Sequence, residues 1–298
     1  MIKKYMITGD THSNFSRFRS LFNNDWGIQA DYPPDETGII VLGDAALNYL
    51  LNENDKHLKR ILQNSGYTWY LVRGNHEERP ENIANITQIY DENVRGEVWT
   101  EEEFPNIKYF KDGGIYYLNQ WRTLVIGGAY SVDKYYRLAR AGFNAQSVTP
   151  ENRNFIQTFA HWFYDEQLST QEKENILNNV RGASFDLVLM HTCPEQWMPV
   201  DLFLSGIDQS TVDNSMEQWL NILKDQISWK VMLWGHFHAD RIERPHCEML
   251  YQSIQDLNVI WNRWYGEKTF QKNCQNLNLS PNFCQNDNPW AKSYKSFL

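Results

Sequence analysis

The chain has 298 residues, of which 42% are hydrophobic and twelve are Trp, so it can fill a sizeable core and is not a largely disordered protein. The net charge of −9 excludes a surface that attracts nucleic acid over long distances, because such a surface needs clustered Lys and Arg. Nucleic acid therefore remains possible only as a substrate that the site holds locally. No apolar segment approaches the roughly 20 residues that span a bilayer, so we expect no membrane partner.

The N-terminal residues run from Met1 directly into a polar motif at Asp10, which leaves no space for a signal peptide. We therefore expect a cytoplasmic protein. The four cysteines show no paired C-x-x-C spacing, and four in this length do not form a disulfide framework, so we expect reduced thiols. They are Cys193, Cys247, Cys274 and Cys284.

Six apolar, β-branched or aromatic runs predict strands. They span residues 5–8, 39–42, 69–72, 124–126, 187–190 and 231–234. Apolar residues at helical spacing predict helices over 55–64, where Leu58, Ile61 and Leu62 share a face, and over 215–227. Capping signals at Ser169 and at residues 149–150 predict two further helix starts. This alternation indicates an α/β domain.

Two apolar runs flank Asn119 and Gln120, which predicts a hairpin over residues 116–126 and hence a mixed sheet. Residues 273–288 are rich in Asn and Gln and predict an irregular extension, with Trp290, Tyr294 and Phe297 as its anchors. We accordingly divide the chain into a catalytic domain, residues 1–255, and a C-terminal extension, residues 256–298, packed on the same domain.

Four short polar motifs follow the apolar runs. They are GDTH at 9–12, GD at 43–44, GNHE at 74–77 and GHFH at 235–238, and a further histidine, His191, follows the run at 187–190. Strand ends in an α/β sheet meet at one crevice, so we expect these side chains to lie together. Five of the eight histidines belong to this set, and the other three, His57, His161 and His246, are expected to be ordinary surface or core residues.

Hydrolysis of a phosphate ester needs a strong nucleophile and neutralisation of the phosphoryl charge, and two divalent metals supply both. Asp44 is the candidate bridging carboxylate between the two metals. Asp10 and His12, two residues apart, can turn to one metal, and His236 and His238 repeat that spacing. With Asn75 and His191 the donors are four imidazoles, two carboxylates and one amide, a set that suits Mn, Fe or Zn better than Ca or Mg.

The order of these motifs resembles that of the calcineurin-like metallophosphoesterase superfamily, over about residues 5–240. The resemblance implies a two-sheet β-sandwich flanked by helices and a site with two metals and a bridging hydroxide. It also implies two ligand sets. These are Asp10, His12, Asp44 and His238 for the first metal, and Asp44, Asn75, His191 and His236 for the second.

The segment RGNHE at 73–77 is most similar to the serine/threonine phosphatase branch of the superfamily. By that resemblance Arg73 binds the phosphate and His76 protonates the leaving oxygen. The chain departs from the branch at 43–49, which reads GDAALNY, so the usual aspartate partner of the histidine and a second phosphate-binding arginine are missing.

Residues 127–137 mix glycines, phenols and cations, a composition typical of a loop that faces a substrate. Lys134 or Arg137 is a candidate replacement for the missing arginine, and Tyr130 is a further candidate for substrate binding. Residues 197–213, after His191, are expected to wall the site, with Cys193 as a residue outside the ligand set and not a nucleophile.

We expect a metal-dependent phosphomonoesterase that acts on a phosphoprotein or a small phosphate ester. The alternative is a phosphodiesterase or nuclease, which uses the same metals. Acidic net charge and Arg73 favour the monoesterase. A non-catalytic binding module is a third interpretation, against which stands the presence of His76 and all seven ligands.

Overall fold

The computed structural model describes residues 1–149 and 151–266. The chain divides into two compact units, Met1–Ile254 and Gln255–Leu298. In the second unit, Asp256 caps a helix, Leu257–Tyr265, by accepting a hydrogen bond from the Asn258 amide. The predicted irregular segment and its three aromatic anchors lie outside the described residues, and the predicted packing of the extension stays a prediction.

The first sheet of the larger unit contains six of its strands. They are β1 (Lys4–Thr8), β2 (Thr37–Leu42), β3 (Thr68–Val72), β4 (Ile86–Asp91), β5 (Gly96–Glu101) and β6 (Ile107–Phe110). Their order is β1-β2-β3-β6-β5-β4. The pairs from β1 to β6 are parallel, whereas β5 pairs antiparallel with both β6 and β4. The sheet is therefore mixed.

The second sheet contains the other six strands. They are β7 (Ile115–Leu118), β8 (Trp121–Ile126), β9 (Ser184–Met190), β10 (Ser228–Trp234), β11 (Arg241–Arg244) and β12 (Cys247–Met249). Their order is β11-β12-β10-β9-β8-β7, with the inner pairs parallel and the two outer pairs antiparallel. The β7–β8 pair is the predicted hairpin, which is confirmed.

The described residues of this unit form six α-helices. They are α1 (Arg19–Phe22), α2 (Glu53–Asn64), α3 (Lys134–Arg140), α4 (Arg153–Ala160), α5 (Thr170–Val180) and α6 (Ser215–Gln226). One apolar core lies between the first sheet, α1 and α2, and a second lies between the second sheet, α5 and α6. These four helices therefore pack on the sheets, whereas α3 and α4 pack on each other in a third apolar cluster. The predicted fold class, α/β with two mixed sheets flanked by helices, is confirmed.

An aromatic row joins the two sheets. The Tyr5 and Tyr70 ring centroids are 6.0 Å apart, those of Tyr70 and Phe110 are 5.4 Å apart, and those of Phe110 and Tyr116 are 4.5 Å apart. The first three rings come from β1, β3 and β6, and Tyr116 comes from β7. Because side chains alternate between strand faces, the same sheet sends residues such as Ile39 and Val41 into the outer core.

All six predicted strands are present. The helices predicted over 55–64, after Ser169 and over 215–227 are also present, as α2, α5 and α6. The predicted shared face of α2 is wrong in part, because Ile61 is 41% exposed while Lys59, paired with Glu101 at 2.6 Å, is buried instead. The predicted loop at 127–137 is also shorter than expected, since α3 begins at Lys134. α4 begins at Arg153, and Pro150 of the predicted cap lies outside the described residues.

No helix within the described ranges has the length and apolar character needed to cross a membrane.

Candidate metal centre and active site

The predicted ligands follow the carboxyl ends of five strands. β1, β2 and β3 run parallel in one sheet, and β9 and β10 run parallel in the other, so the five ends open at matched edges. The loops beyond them carry the four polar motifs and His191. This placement is the switch-point crevice in which ligands of α/β proteins bind.

Asp10 and Asp44 are buried, and main-chain amides orient both carboxylates. The His236 amide donates to Asp10 Oδ1 and the His76 amide donates to Asp44 Oδ1, each at 2.9 Å. Burial alone would raise the pKa of Asp10, but the close contact with the His238 imidazole and the charge of His191 lower it overall. The Asp10 Oδ2 atom is buried and accepts no hydrogen bond from the described residues, so it is available to a cation.

The pKa of Asp44 is also held below its usual range. Burial again opposes this shift, and the charges of His191, His76 and His12 outweigh it. Gly74 allows the carboxylate to approach the main chain, because a Cβ atom at that position would lie 1.8 Å from Asp44 Oδ1. Any side chain at this position would clash with Asp44, so the GNHE motif requires glycine there.

His191 and Asn75 bring two candidate metal ligands together. His191 Nδ1 lies 2.8 Å from the Leu42 carbonyl and donates to it, which turns Nε2 toward Asn75. The Asn75 Nδ2 group donates to Ser131 Oγ at 2.9 Å, which fixes Oδ1 as the opposite end of the amide. His191 Nε2 and Asn75 Oδ1 are 2.8 Å apart. A divalent metal can take both atoms as ligands when Nε2 is deprotonated.

His12 and His238 form a second convergent pair. Their Nε2 atoms are 2.8 Å apart, and His238 Nε2 lies 3.3 Å from Asp10 Oδ2. This contact with Asp10 raises the pKa of His238, whereas burial and the neighbouring His191 lower the pKa of His236 to about 3. A low pKa keeps the His236 imidazole neutral, the form that binds a metal.

Four of the ligand residues adopt a left-handed backbone conformation. The φ angles are +44° at His12, +38° at Asp44, +67° at His236 and +54° at His238. Such conformations cost of order 1–3 kcal/mol each in a non-glycine residue and persist where surrounding structure enforces them. Their concentration here marks a functional site and not a connecting loop.

Two groups of donor atoms are close enough to hold an ion. Asp10, His12 and His238 form one group, and Asp10, Asp44 and His191 form the other. Within each group the donor atoms lie within 4.8 Å of one another. With the orphaned Asp10 oxygen and the two convergent pairs, this donor set fits divalent metals, in agreement with the residue types in the sequence.

A hydrogen-bond chain behind Asn75 extends away from the metal centre. The Ser131 hydroxyl, which accepts from Asn75, donates to Glu166 Oε2 at 2.5 Å, and the Ser131 amide donates to Glu166 Oε1 at 3.0 Å. Burial raises the pKa of Glu166 to about 7. The sequence analysis missed Ser131 and Glu166, because neither belongs to a motif and they meet only in the fold.

His76 lines the cavity beside the predicted ligands and has unusual neighbours. Burial lowers its pKa, the negative charges of Asp44 and Asp133 oppose that shift, and Arg137 adds to it. Its Nδ1 atom is buried and forms no hydrogen bond with the described residues. The Tyr49 ring lies 6.4 Å from the imidazole. Asp133 thus influences the His76 imidazole by its charge, while its carboxylate is bound to Arg137 at 2.7 Å.

Arg73 is buried and points to protein groups. Its Nε donates to Asp112 Oδ2 at 2.8 Å, and its Nη1 donates to the Glu166 carbonyl at 2.7 Å. A Cβ atom on Gly128 would lie 2.6 Å from Nη2, so the guanidinium runs beneath that glycine. Arg73 does not line the active-site cavity. The structure thus gives Nε and Nη1 partners other than a phosphate, whereas Nη2 has no hydrogen-bond partner among the described residues.

The three candidate substrate residues are dispersed. Arg137 binds Asp133 at 2.7 Å and Tyr49 Oη at 2.5 Å. Lys134 Nζ lies 4.4 Å above the Trp162 ring and lines a second, separate cavity. Tyr130 alone lines the active-site cavity, where its hydroxyl donates to the Thr211 carbonyl at 3.3 Å.

The active-site cavity has a volume of about 460 Å3 and lies beside the metal centre. One side is formed by Asp44, Asn75, His76, His236 and His238. The other side is formed largely by the segment at 198–212, so the expected wall after His191 is confirmed. Cys193 and Cys247 are free and buried, as expected of reduced thiols.

Residues 3–240 match the family described as calcineurin-like phosphoesterase. The chain therefore belongs to the calcineurin-like phosphoesterase family, a class of metal-dependent hydrolases of phosphate esters. The resemblance in the motifs is confirmed at the level of the superfamily, whereas the serine/threonine phosphatase branch is not.

A comparison with curated proteins found no match. Among solved structures, the crystal structure of TT1561 of Thermus thermophilus is 10% identical, with 86% of this chain and 98% of that chain covered and a TM-score of 0.42. Another crystal structure is 13% identical, with coverages of 87% and 96% and a TM-score of 0.43.

Proposed function

We propose that this chain hydrolyses phosphate esters at a centre of two divalent metals held by the seven predicted ligands. The observation that carries the proposal is the convergence of the His191 Nε2 and Asn75 Oδ1 atoms, 2.8 Å apart, beside the buried carboxylates of Asp10 and Asp44. Mn, Fe and Zn suit the mixed imidazole, carboxylate and amide donors.

When bound, two such metals lower the pKa of a shared water and neutralise phosphoryl oxygens. Asp44 supports this role, because it lies close to His191 on one side and His76 on the other, at 3.7 Å and 4.0 Å. We propose His76 as the group that protonates the leaving oxygen, since it lines the cavity beside the ligands. In this reaction the water oxygen bonds to phosphorus and the ester P–O bond breaks. The leaving oxygen takes a proton from His76, and the proton released by the water restores His76.

The choice between monoester and diester depends on the cations near the phosphate. The sequence favours a monoester through Arg73, but Arg73 is bound to Asp112 and to the Glu166 carbonyl. Among the described residues that line the cavity, none is Lys or Arg. A monoester dianion carries one more negative charge than a diester, and that extra charge has no side-chain cation beside it. We therefore favour a phosphodiester substrate, with the monoester as the second candidate.

The test is metal reconstitution followed by a matched substrate pair. Purified protein is loaded with Mn2+, Fe2+ or Zn2+ and its metal content is measured by elemental analysis. We expect two metals per chain and faster turnover of bis(4-nitrophenyl) phosphate than of 4-nitrophenyl phosphate. Fewer than two metals would exclude the two-metal centre, and a tenfold preference for the monoester would restore the phosphatase interpretation.

A further inference from the structure

One wall of the active-site cavity is apolar and open. Leu202, Phe203, Leu204 and Ile207 line it from the segment after His191, and Phe237 lines it from between two predicted ligands. Leu202 is 38% exposed and Leu204 is 64% exposed. Large aliphatic side chains at the mouth of a catalytic cavity are unfavourably exposed to water unless a ligand covers them.

The charges around this cavity select against a second anionic group. Its ionisable lining residues besides the histidines and Tyr130 are Asp44, Asp133 and Glu217, and no Lys or Arg lines it among the described residues. A nucleotide polyphosphate or a nucleic-acid backbone would place further phosphates where no side-chain cation receives them.

We infer that the group esterified to the reacting phosphorus is an aliphatic chain of several carbons that lies on the apolar wall. This inference rests on the proposed function, because it places the phosphoryl group at the metal centre and assigns the wall next to it. The cavity volume of about 460 Å3 falls within the range of pockets that enclose small ligands, so a chain of that size is accommodated.

Burial of one methylene group against such a wall increases affinity by about fourfold, the equivalent of about 0.8 kcal/mol. The first few methylenes beyond the phosphoryl group should each contribute on this scale. The gain should end where the chain passes the exposed edge at Leu204.

The primary experiment measures binding and needs no turnover. Methyl-, butyl- and octylphosphonate are titrated calorimetrically into the Mn2+-loaded protein. We expect affinity to rise at least about tenfold from methyl to butyl. Equal affinities, or no binding of any phosphonate, would overturn the inference. The kcat/KM values of 4-nitrophenyl methyl, butyl and octyl phosphate should follow the same order.

Two variants in the same segment separate the wall from general effects. Leu204→Asp places a charge in the cavity wall, whereas Val200→Asp changes a residue that is 71% exposed and does not line the cavity. Leu204→Asp should remove the dependence on chain length and Val200→Asp should retain it. An equal effect of both variants would overturn the inference.

Failure of the inference and failure of the proposed function give different results. Phosphonate binding that depends on chain length, without hydrolysis of any ester, would support an aliphatic chain on the apolar wall and refute the hydrolytic function. Hydrolysis of all three esters at one rate would support the hydrolytic function and refute the placement of an aliphatic chain on the wall. Faster turnover of thymidine 4-nitrophenyl phosphate than of the octyl ester would also refute the wall, since a nucleoside is polar.

Discussion

The ligand loops and the segment at 127–140 place their side chains by different means. In the ligand loops, short carboxylate and imidazole side chains are fixed by main-chain amides, close glycines and left-handed φ angles. In the segment at 127–140, Lys134 and Arg137 extend to Trp162, Asp133 and Tyr49. A short side chain follows its backbone, whereas a long cationic side chain reaches whichever partner the fold supplies.

Arg73 belongs with the second group although it adjoins a ligand motif. Its backbone lies one residue before Gly74, yet its guanidinium binds Asp112 and the Glu166 carbonyl. Through Glu166 it also supports the chain that orients Asn75. The position of a residue beside a motif therefore predicts where its main chain lies. It predicts less well which partners a long side chain finds.

The largest expected effect comes from the shared carboxylate of the ligand loops. Asp44→Asn removes the charge that both metals need, so metal content should fall from two per chain to one or none and activity should be lost. Elemental analysis and ester turnover measure this. The matched control is Asp225→Asn, an exposed carboxylate paired with Lys224, which should keep both metals. Full metal content in Asp44→Asn would contradict the assignment.

Arg73→Ala tests whether this residue acts in stability or in substrate binding. It leaves Asp112 beside the core without its cation, so the free energy of unfolding should fall by about 3–5 kcal/mol. The KM of the folded fraction should stay unchanged. Denaturant unfolding and steady-state kinetics measure the two quantities. A large rise in KM with unchanged stability would show that Arg73 binds the substrate phosphate.

The carboxylate behind the ligand loops predicts a pH dependence of stability. Glu217 is buried, accepts a hydrogen bond from Thr192 at 2.8 Å, and has a pKa raised by burial to about 7. The folded state then binds more protons than the unfolded state between pH 4.5 and 7, so stability falls as pH rises through that range. The titration of Glu217 should lower the free energy of unfolding by on the order of 3 kcal/mol over this range, and Glu217→Gln should remove that decrease.

Thermal unfolding of wild type and Glu217→Gln at pH 5, 6 and 7 checks that slope. The exposed Glu103→Gln serves as the control, because it should leave the slope unchanged. Identical slopes in wild type and Glu217→Gln would mean that Glu217 is ionised in the folded protein.

Ser131→Ala tests the support behind the ligand Asn75. Without the hydroxyl, the Asn75 amide loses its acceptor and can turn, so metal affinity should fall by about 10–100-fold. Competition titration with a fluorescent chelator measures this without turnover. Ser147→Ala, an exposed serine outside the site, should match wild type. Unchanged affinity in Ser131→Ala would exclude the orienting role.

The smallest effect is expected at Lys134. Lys134→Ala removes a cation–π contact with Trp162, so stability should fall by about 0.5–1 kcal/mol and ester KM should stay within about twofold of wild type. Steady-state kinetics with monoester and diester decide the point. A clear rise in KM for the monoester alone would place Lys134 at the substrate.

The sequence by itself determined which polar residues meet at the strand ends and how strands and helices alternate. Motifs such as GDTH and GHFH sit where apolar runs end, and both properties are local, since side-chain period and turn chemistry act over a few residues. The strands β4, β5 and β6 were not predicted, because β4 is largely exposed and carries a weak apolar pattern, and the buried β6 has only four residues. β5 and β4 are the outer strands on one side of the first sheet, and β6 is the last strand of its parallel part.

The tertiary structure alone decided the partners of long or buried polar side chains. Glu166 reaches Ser131 across 35 residues, Arg73 reaches Asp112 across 39, and the charge of Asp133 acts on His76 from a distant part of the sequence. No local pattern encodes such contacts, because each depends on burial and charge contributed by distant segments. The sequence predicts that residues 197–213 wall the site, but only the fold decides that Leu202, Phe203, Leu204 and Ile207 line the cavity together with Phe237.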